Sequence, residues 1–251
     1  MRTRLLTATL FGAMALGGFQ TAALADGGEE EEASPWSISL AFTSDYRFRG
    51  QSQTSRDPAP QASVNFESAS GFFAGVWAST IDFSESLDFD SELEIDLYAG
   101  YNFSLGENTE GSLKATYYFY PDNPGNYEYF EFQAALSHSF DRITLSGELN
   151  YSPDYFNETG SAIAVAGGAE VSLVDNLSAS GHVGYQWIDD NALFATPDFL
   201  YWDLGLTLTL LEEHITLDAR YVATDLDDAD CFGGTDLCEG GFVGTVTLAI
   251  P

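Results

Sequence analysis

Apolar and polar residues alternate one by one along most of this chain. Between positions 200 and 210, for example, Leu200, Trp202 and Leu204 begin an apolar row that is interleaved with Tyr201 and other polar or small residues. A β-strand points successive side chains to opposite faces, so this pattern predicts a strand with one apolar and one polar face. Helical periodicity is hard to find.

Twelve segments show this alternation, and most reach the ~9–11 residues that a tilted membrane-spanning strand needs. An even number of strands is typical of bacterial barrels. We therefore predict an all-β fold, a closed antiparallel transmembrane β-barrel of about twelve strands. The predicted strands are 36–48, 60–69, 72–83, 92–104, 111–120, 127–140, 142–152, 161–173, 176–188, 200–211, 214–224 and 241–250.

The connections alternate between short and long. Ser70-Gly71 and Asp141 are short, whereas Pro153–Gly160 and Asp225–Gly240 are longer and rich in proline or acid. Short periplasmic turns and longer extracellular loops are the arrangement of outer-membrane barrels, so both ends of the barrel chain are expected on the periplasmic side. A soluble β-sandwich also alternates, but aromatic residues on the apolar face and regular short–long connections favour the barrel.

The N-terminal region has a different pattern. Met1-Arg2-Thr3-Arg4 precedes an apolar run to about Gly18, and Ala23-Leu24-Ala25 supplies a small-residue cleavage site. We interpret 1–25 as a cleaved secretory signal peptide, 26–35 as an acidic, disordered periplasmic tail, and 36–251 as one outer-membrane β-barrel domain. The expected location is the Gram-negative outer membrane.

The chain is strongly acidic. Its formal net charge is −31, and removal of the two leader arginines makes it −33. Such a chain cannot neutralise phosphates, which excludes a nucleic-acid partner. It also repels anionic lipid headgroups, so the acids are expected in the lumen and the outer loops. A saline habitat would explain acidic loops equally well. The expected partners are outer-membrane lipid, small solutes and the barrel assembly machinery.

The polar rows supply candidate pore-lining residues. Because acids outnumber bases among them, the favoured function is a porin-like channel for passive diffusion of small cationic or neutral solutes. A narrow barrel can also be filled by its own side chains, which leaves a plugged structural or adhesion barrel as the alternative. The candidates are Asp45, Arg47, Arg49, Glu67, Asp96, Lys114, Glu131, Glu148, Glu170, Asp203, Asp218 and Arg220.

Two of these candidates form a spaced basic pair. Arg47 and Arg49 lie two residues apart beside Asp45, so on one strand they share a face. They are consistent with a basic ladder facing an acidic wall at a constriction, and equally with local charge pairing at the strand end.

An enzyme is not predicted, and no cofactor is expected. His138, His182 and His214 are the only histidines, and only His182 is predicted to face the lumen, where Glu170 lies across a hairpin. An outer-membrane barrel hydrolase built on that pair remains a lesser alternative. No phosphate-binding loop, zinc spacing or dinucleotide fingerprint is present.

The last outer loop carries both cysteines and a cluster of acids. An exported chain matures in an oxidising compartment, so Cys231 and Cys238 are predicted to form a disulfide. The acids offer a weak calcium candidate, Asp227, Asp228 and Asp230, although their spacing does not match an EF-hand.

Several motifs resemble the TorF-type porin family. Residues 44–54, S-D-Y-R-F-R-G-Q-S-Q-T, resemble its opening, in which S-D-Y-x-F-R-G is followed by S-Q-T. The segments 71–79, 94–101 and 117–121 are similar to its following strands, and the loop with Cys231 and Cys238 is also similar. The resemblance implies an outer-membrane barrel and supplies no substrate.

Overall fold

The structure is a computed structural model that describes residues 34–83, 91–121 and 126–251. The predicted signal peptide and nearly all of the acidic tail lie outside the described residues. Twelve strands close into one antiparallel barrel, which confirms the predicted fold class and strand number. Each strand pairs with its neighbours in sequence, and β1 pairs with both β4 and β14 to complete the ring.

The barrel strands are β1 and β4 to β14, and β2 and β3 form a separate two-stranded hairpin. Two short helical turns, Phe156–Glu158 and α1 (Asn191–Phe194), lie in the connections. Within the described ranges, no helix has the length and apolar character to cross a membrane. The strands are β1 Trp36–Thr43, β2 Arg47–Phe48, β3 Gln51–Ser52, β4 Ala59–Glu67, β5 Phe72–Thr80, β6 Leu93–Ser104, β7 Thr109–Phe119, β8 Tyr129–Phe140, β9 Ile143–Ser152, β10 Ala162–Val174, β11 Leu177–Ile188, β12 Phe199–Leu210, β13 Ile215–Thr224 and β14 Gly241–Ile250.

The apolar rows form the outer surface of the barrel. Leu204 is 64% exposed and Leu113 is 54% exposed, whereas a water-soluble protein would bury such rows. Aromatic side chains gather near both ends of this belt, as Trp36 with Phe66 at one end and Tyr117 with Phe130 at the other. An apolar band between two aromatic girdles is the surface that a bilayer-spanning barrel presents to lipid.

The two ends of the barrel differ. At one end, which we term the turn end, strands are joined by connections of two to four residues, such as 141–142 and 105–108. At the other, the loop end, the connections are longer: 44–58, 81–92, 120–128, 153–161, 189–198 and 225–240. The predicted alternation of short and long connections is therefore present along the whole barrel.

The buried core lies inside the barrel, in the half nearer the loop end. Large lumen-facing side chains lie flat over glycines of the neighbouring strand, as Tyr201 does over Gly184. A Cβ added at Gly184 would come within 2.2 Å of the Tyr201 ring, so this close approach requires glycine.

One predicted strand is wrong in its second half. Strand 36–48 ends at Thr43, and residues 44–58 turn into the lumen instead of continuing along the wall. Tyr46, which the alternation placed on the lipid-facing row, is 2% exposed in the interior. The predicted outer connection from Gly50 to Ala59 is therefore part of a longer segment that begins at Ser44.

Candidate functional site

Residues 44–58, which we term the inner loop, narrow the lumen near the loop end. The loop carries the β2–β3 hairpin, in which Arg47 faces Ser52 and Phe48 faces Gln51. Its two turn residues, Arg49 and Gly50, both have positive φ, at 48° and 86°. A two-residue turn of this kind matches the twist of a hairpin, and glycine is its natural second residue. The sequence R-G therefore starts the reversal that sends the chain back to the wall.

Ionic and hydrogen-bonded contacts fasten the inner loop to the wall. The Arg49 guanidinium donates to Glu131 Oε2 on β8 at 2.7 Å and to Gln186 Oε1 on β11 at 2.8 Å. The Tyr46 hydroxyl donates to Glu94 Oε1 on β6 at 2.7 Å. Charge-assisted hydrogen bonds are the strong ones, and breaking a buried pair on one side typically costs ~3–5 kcal/mol. These contacts hold the hairpin at three points around the lumen.

Asp45 organises the base of the inner loop. Its carboxylate accepts from Arg47 Nε at 2.6 Å and from Ser52 Oγ at 2.7 Å. Arg47 also donates to the backbone oxygen of Glu239 in the last loop at 2.7 Å. Of the two interpretations of this basic pair, Arg47 shows the local one, because it pairs with Asp45, whereas Arg49 has positive φ and pairs with Glu131 of the wall.

The last loop, residues 225–240, contacts the inner loop through hydrogen bonds and ion pairs. Cys231 and Cys238 form the predicted disulfide, with Cα atoms 5.8 Å apart, and both are buried with Leu237. The Leu237 carbonyl accepts from the Ser52 backbone N–H at 2.8 Å. Arg56 of the inner loop pairs with Asp236 and Glu239 of the last loop.

Removal of this disulfide, as Cys231→Ser with Cys238→Ser, is expected to leave the barrel folded and to loosen only the last loop. The bridge closes a short ring worth roughly 2–3 kcal/mol of local order, whereas the barrel is held by strand pairing. The difference in electrophoretic migration between heated and unheated protein, which reports a folded barrel, should be unchanged. Limited proteolysis within residues 225–240 should become faster. A large fall in barrel stability would contradict this expectation and would give the bridge a global role.

The weak calcium candidate is not assembled as a metal site. Asp227 Oδ1 accepts from the backbone N–H groups of Ala229 and Asp230, which is an ordinary local turn. Across the three described ranges, no group of three or more His, Cys, Asp or Glu side chains is arranged to hold a metal ion. Asp227, Asp228 and Asp230 therefore serve as acidic loop residues in this structure.

An ion-pair ladder crosses β11, β12 and β13 on the lumen face. Arg220, which is 2% exposed, donates to Asp218 Oδ1 at 2.7 Å and to Asp203 Oδ1 at 2.5 Å. His182 Nδ1 lies 3.0 Å from both oxygens of Asp203, and Thr207 donates to Asp218 at 2.8 Å. The single guanidinium thus holds two carboxylates in place along the wall.

The other candidate residues also face the lumen but are less constrained. Glu148 accepts from Gln133 at 3.2 Å and from Asn150 at 3.1 Å, and Glu67 accepts from Asn102 at 3.3 Å. In the described part of the chain, Glu67, Asp96 and Glu148 take part in no ion pair, and Asp96 is fully buried. Lys114, Glu67, Glu148, Glu170 and Asp218 are half-buried.

The hydrolase alternative finds little support in this geometry. His182 faces Gly168 on β10, whereas Glu170 faces Ser180, so the proposed pair is not in direct register. His182 Nδ1 contacts Asp203, which Arg220 already neutralises, and Glu170 interacts electrostatically with His182 from the diagonal position. His182 is therefore part of the ion-pair ladder.

Sequence reasoning missed a cavity of about 30 Å³ between the inner loop and the wall, which we term the aromatic chamber. Its lining includes Glu94, Gln51 and the rings of Tyr46, Phe48, Tyr118, Tyr120, Tyr129 and Tyr155. Burial raises the pKa of Tyr155, in a loop-end connection, to about 12, so its hydroxyl stays protonated at neutral pH. The signal in the sequence was Tyr118 and Tyr120, which stand two apart in the predicted strand 111–120 and therefore share a face of it.

Solved structures of similar fold are porins. The KdgM porin aligns with a TM-score of 0.58 and 7% identity over 86% of this chain and 98% of that chain. The NanC porin aligns with a TM-score of 0.57 and 10% identity over 85% of this chain and 98% of that one. At such low identity the likeness concerns the fold, which is a porin-like barrel.

Sequence comparison identifies a family without assigning an activity. No protein of curated function matches the chain. The family Gcw_chp, described as "bacterial protein of unknown function", matches residues 29–248, which include every barrel strand residue except Ala249 and Ile250. The chain therefore belongs to the Gcw_chp family.

Proposed function

We propose that this protein is an outer-membrane channel for passive diffusion of small cationic or neutral solutes. The observation that carries the proposal is the charge of the lumen: of the twelve candidate residues on its wall and on the inner loop, eight are acids and four are bases. Carboxylates along a pore favour cations and repel anions. The porin-like fold supports a channel. The resemblance of residues 44–54 to the TorF-type porin family supports an outer-membrane barrel.

The ion pairs sharpen this expectation. Arg47, Arg49 and Arg220 are each bound to acids, so their charges are already compensated. Glu67, Asp96 and Glu148 are acids without such a partner among the described residues, and Lys114 is the cation that interacts with Asp96 and Glu148. The uncompensated charge of the lumen is negative. The KdgM porin has been solved in complex with oligogalacturonate, which is an anion. The acidic lumen of the present protein instead suits a solute of positive charge.

We place the loop end at the cell exterior and the turn end in the periplasm, with residues 1–25 as the cleaved leader. Long acidic connections then surround the outer mouth, where their field concentrates cations. Insertion in the outer membrane would require the barrel assembly machinery.

The test is planar-bilayer recording with a potassium chloride gradient. We expect ion conductance and a reversal potential of the sign that denotes cation preference. Glu148→Gln should reduce this preference, because it removes a half-buried lumen charge, whereas Glu107→Gln, at an exposed turn, should change it little. Anion preference in the natural chain would overturn the assignment of solute charge.

A closed structural or adhesion barrel is the second candidate, and the inner loop is the observation that favours it. Tyr46, Phe48 and Arg49 are at most 9% exposed, so the loop-end half of the lumen is largely filled. Absence of conductance in the recording above, from protein shown to be folded, would select this candidate.

A further inference from the structure

We propose that the aromatic chamber binds a small primary ammonium ion of the size of methylammonium, and this inference rests on the proposed channel function. The chamber lies beside the inner loop, and its lining includes Tyr46, Phe48 and Gln51 of that loop. Its chemistry combines three features that select such an ion: aromatic rings, one carboxylate and hydrogen-bonding oxygens.

The first feature is the ring arrangement. Tyr118 and Tyr129 stack with centroids 4.3 Å apart, and Tyr155 meets Tyr129 edge-on at 4.8 Å. On the other side, Phe48 meets Tyr118 edge-on at 6.0 Å. These contacts turn several of the ring faces toward neighbouring rings, so the set gives the chamber an aromatic wall against which the methyl group of an organic cation can pack.

The second feature is charge. Among the lining residues that the structure describes, Glu94 is the only acid, and no lysine or arginine is among them. Arg49 lies behind Phe48, 4.6 Å from its ring centroid, but its guanidinium is bound to Glu131. The lining thus holds one carboxyl group and no base, although the Arg49 guanidinium also bonds the Tyr155 hydroxyl. Glu94 is 2% exposed, and a cation bound in the chamber would supply the counter-charge that a buried carboxylate requires.

The third feature is size and polarity. A water molecule requires ~10–15 Å³ of such space, so a chamber of about 30 Å³ accepts an occupant of two heavy atoms. Methylammonium has two, with a methyl group for a ring face and N–H groups for oxygen acceptors. Tyrosine hydroxyls and the Gln51 amide, which is 3% exposed, supply polar partners. Tetramethylammonium would require the rings to move apart.

The test is binding of ¹³C-methylammonium chloride to the full-length protein in detergent micelles, followed by NMR line broadening at constant ionic strength. We expect saturable binding that Glu94→Gln weakens at least tenfold, because the amide still accepts a hydrogen bond from Tyr46 but lacks the charge. Glu148→Gln is the matched control, because it removes a lumen carboxylate that does not line the chamber. This variant should bind methylammonium as tightly as the natural chain does.

Three results would overturn the inference: equal binding by Glu94→Gln, equal competition by potassium, or equal binding of methanol, the neutral analogue. Tetramethylammonium should compete poorly. Conductance separates the two proposals. A cation-preferring channel that does not bind methylammonium removes this inference alone, whereas binding by a barrel that does not conduct removes the channel and leaves the site.

Discussion

A variant in which a short Gly-Ser linker replaces residues 45–57 is expected to conduct ions several times better than the natural chain. The inner loop occupies the loop-end half of the lumen, and its side chains reach three separate strands through Arg49 and Tyr46. Conductance rises as the narrowest cross-section widens, and a twelve-stranded barrel lies between those that side chains fill and those with a wide aqueous channel. Single-channel recording measures the change directly.

Two single substitutions provide a matched comparison for this prediction. Arg49→Gln and Arg56→Gln each remove one positive charge from the inner loop, but Arg49 ties the loop to β8 and β11, whereas Arg56 pairs with exposed acids of the last loop. Arg49→Gln should raise conductance or produce frequent open–closed transitions, and Arg56→Gln should not. If the linker variant conducts like the natural chain, the inner loop is not the constriction.

Arg220→Met is expected to lower the free energy of unfolding by about 3 kcal/mol, the cost of leaving a buried ion pair without one partner. The substitution leaves Asp203 on β12 and Asp218 on β13 without the guanidinium that bridges them. Urea titration of the barrel in micelles would measure the loss. The same variant should prefer cations more strongly, because two carboxylates lose their compensating charge.

Arg142→Met is the control for this substitution, since Arg142 is an exposed residue in the turn after β8 and loses the same charge. Its free energy of unfolding should change by less than about 0.5 kcal/mol. Similar losses for both variants would show that net charge, and not the Arg220 ladder, sets the stability.

The barrel could be predicted from sequence because alternation with a period of two decides which face of each strand meets lipid. The inner loop could not be predicted from sequence, because the alternation of apolar and polar residues continues past Thr43, where strand β1 ends. Phe42, Tyr46 and Phe48 remain apolar at even positions, so the pattern extends one strand to residue 48. The only sign in the sequence that the chain reverses direction here is the Arg49-Gly50 turn, and a residue followed by glycine is common in turns of many kinds.

The side of the strand on which the wall candidates lie was likewise predictable, but their partners were not, and Asp45, Arg47 and Arg49 lie on the inner loop instead of the wall. Which acid meets Arg49 depends on how far the inner loop reaches, and Glu131 lies 82 positions away in sequence. The role of Tyr118 and Tyr120 was not predictable, because aromatic rings suit both a membrane interface and a filled lumen. Tyr118 meets Tyr129 because the two are register partners on β7 and β8, and the alternating pattern alone does not fix that register.

The bond between Ser52 and Leu237 has a consequence for the order of assembly. Ser52 and Leu237 lie near opposite ends of the barrel sequence. Arg49 likewise bonds to Gln186, which is 137 positions further along the chain. Contacts between such distant segments form slowly, because the intervening chain must first be ordered. The inner loop can therefore make all its contacts with the wall only after the last strands have paired. A newly inserted barrel should thus first have a wider, more conductive lumen, which narrows when the inner loop binds.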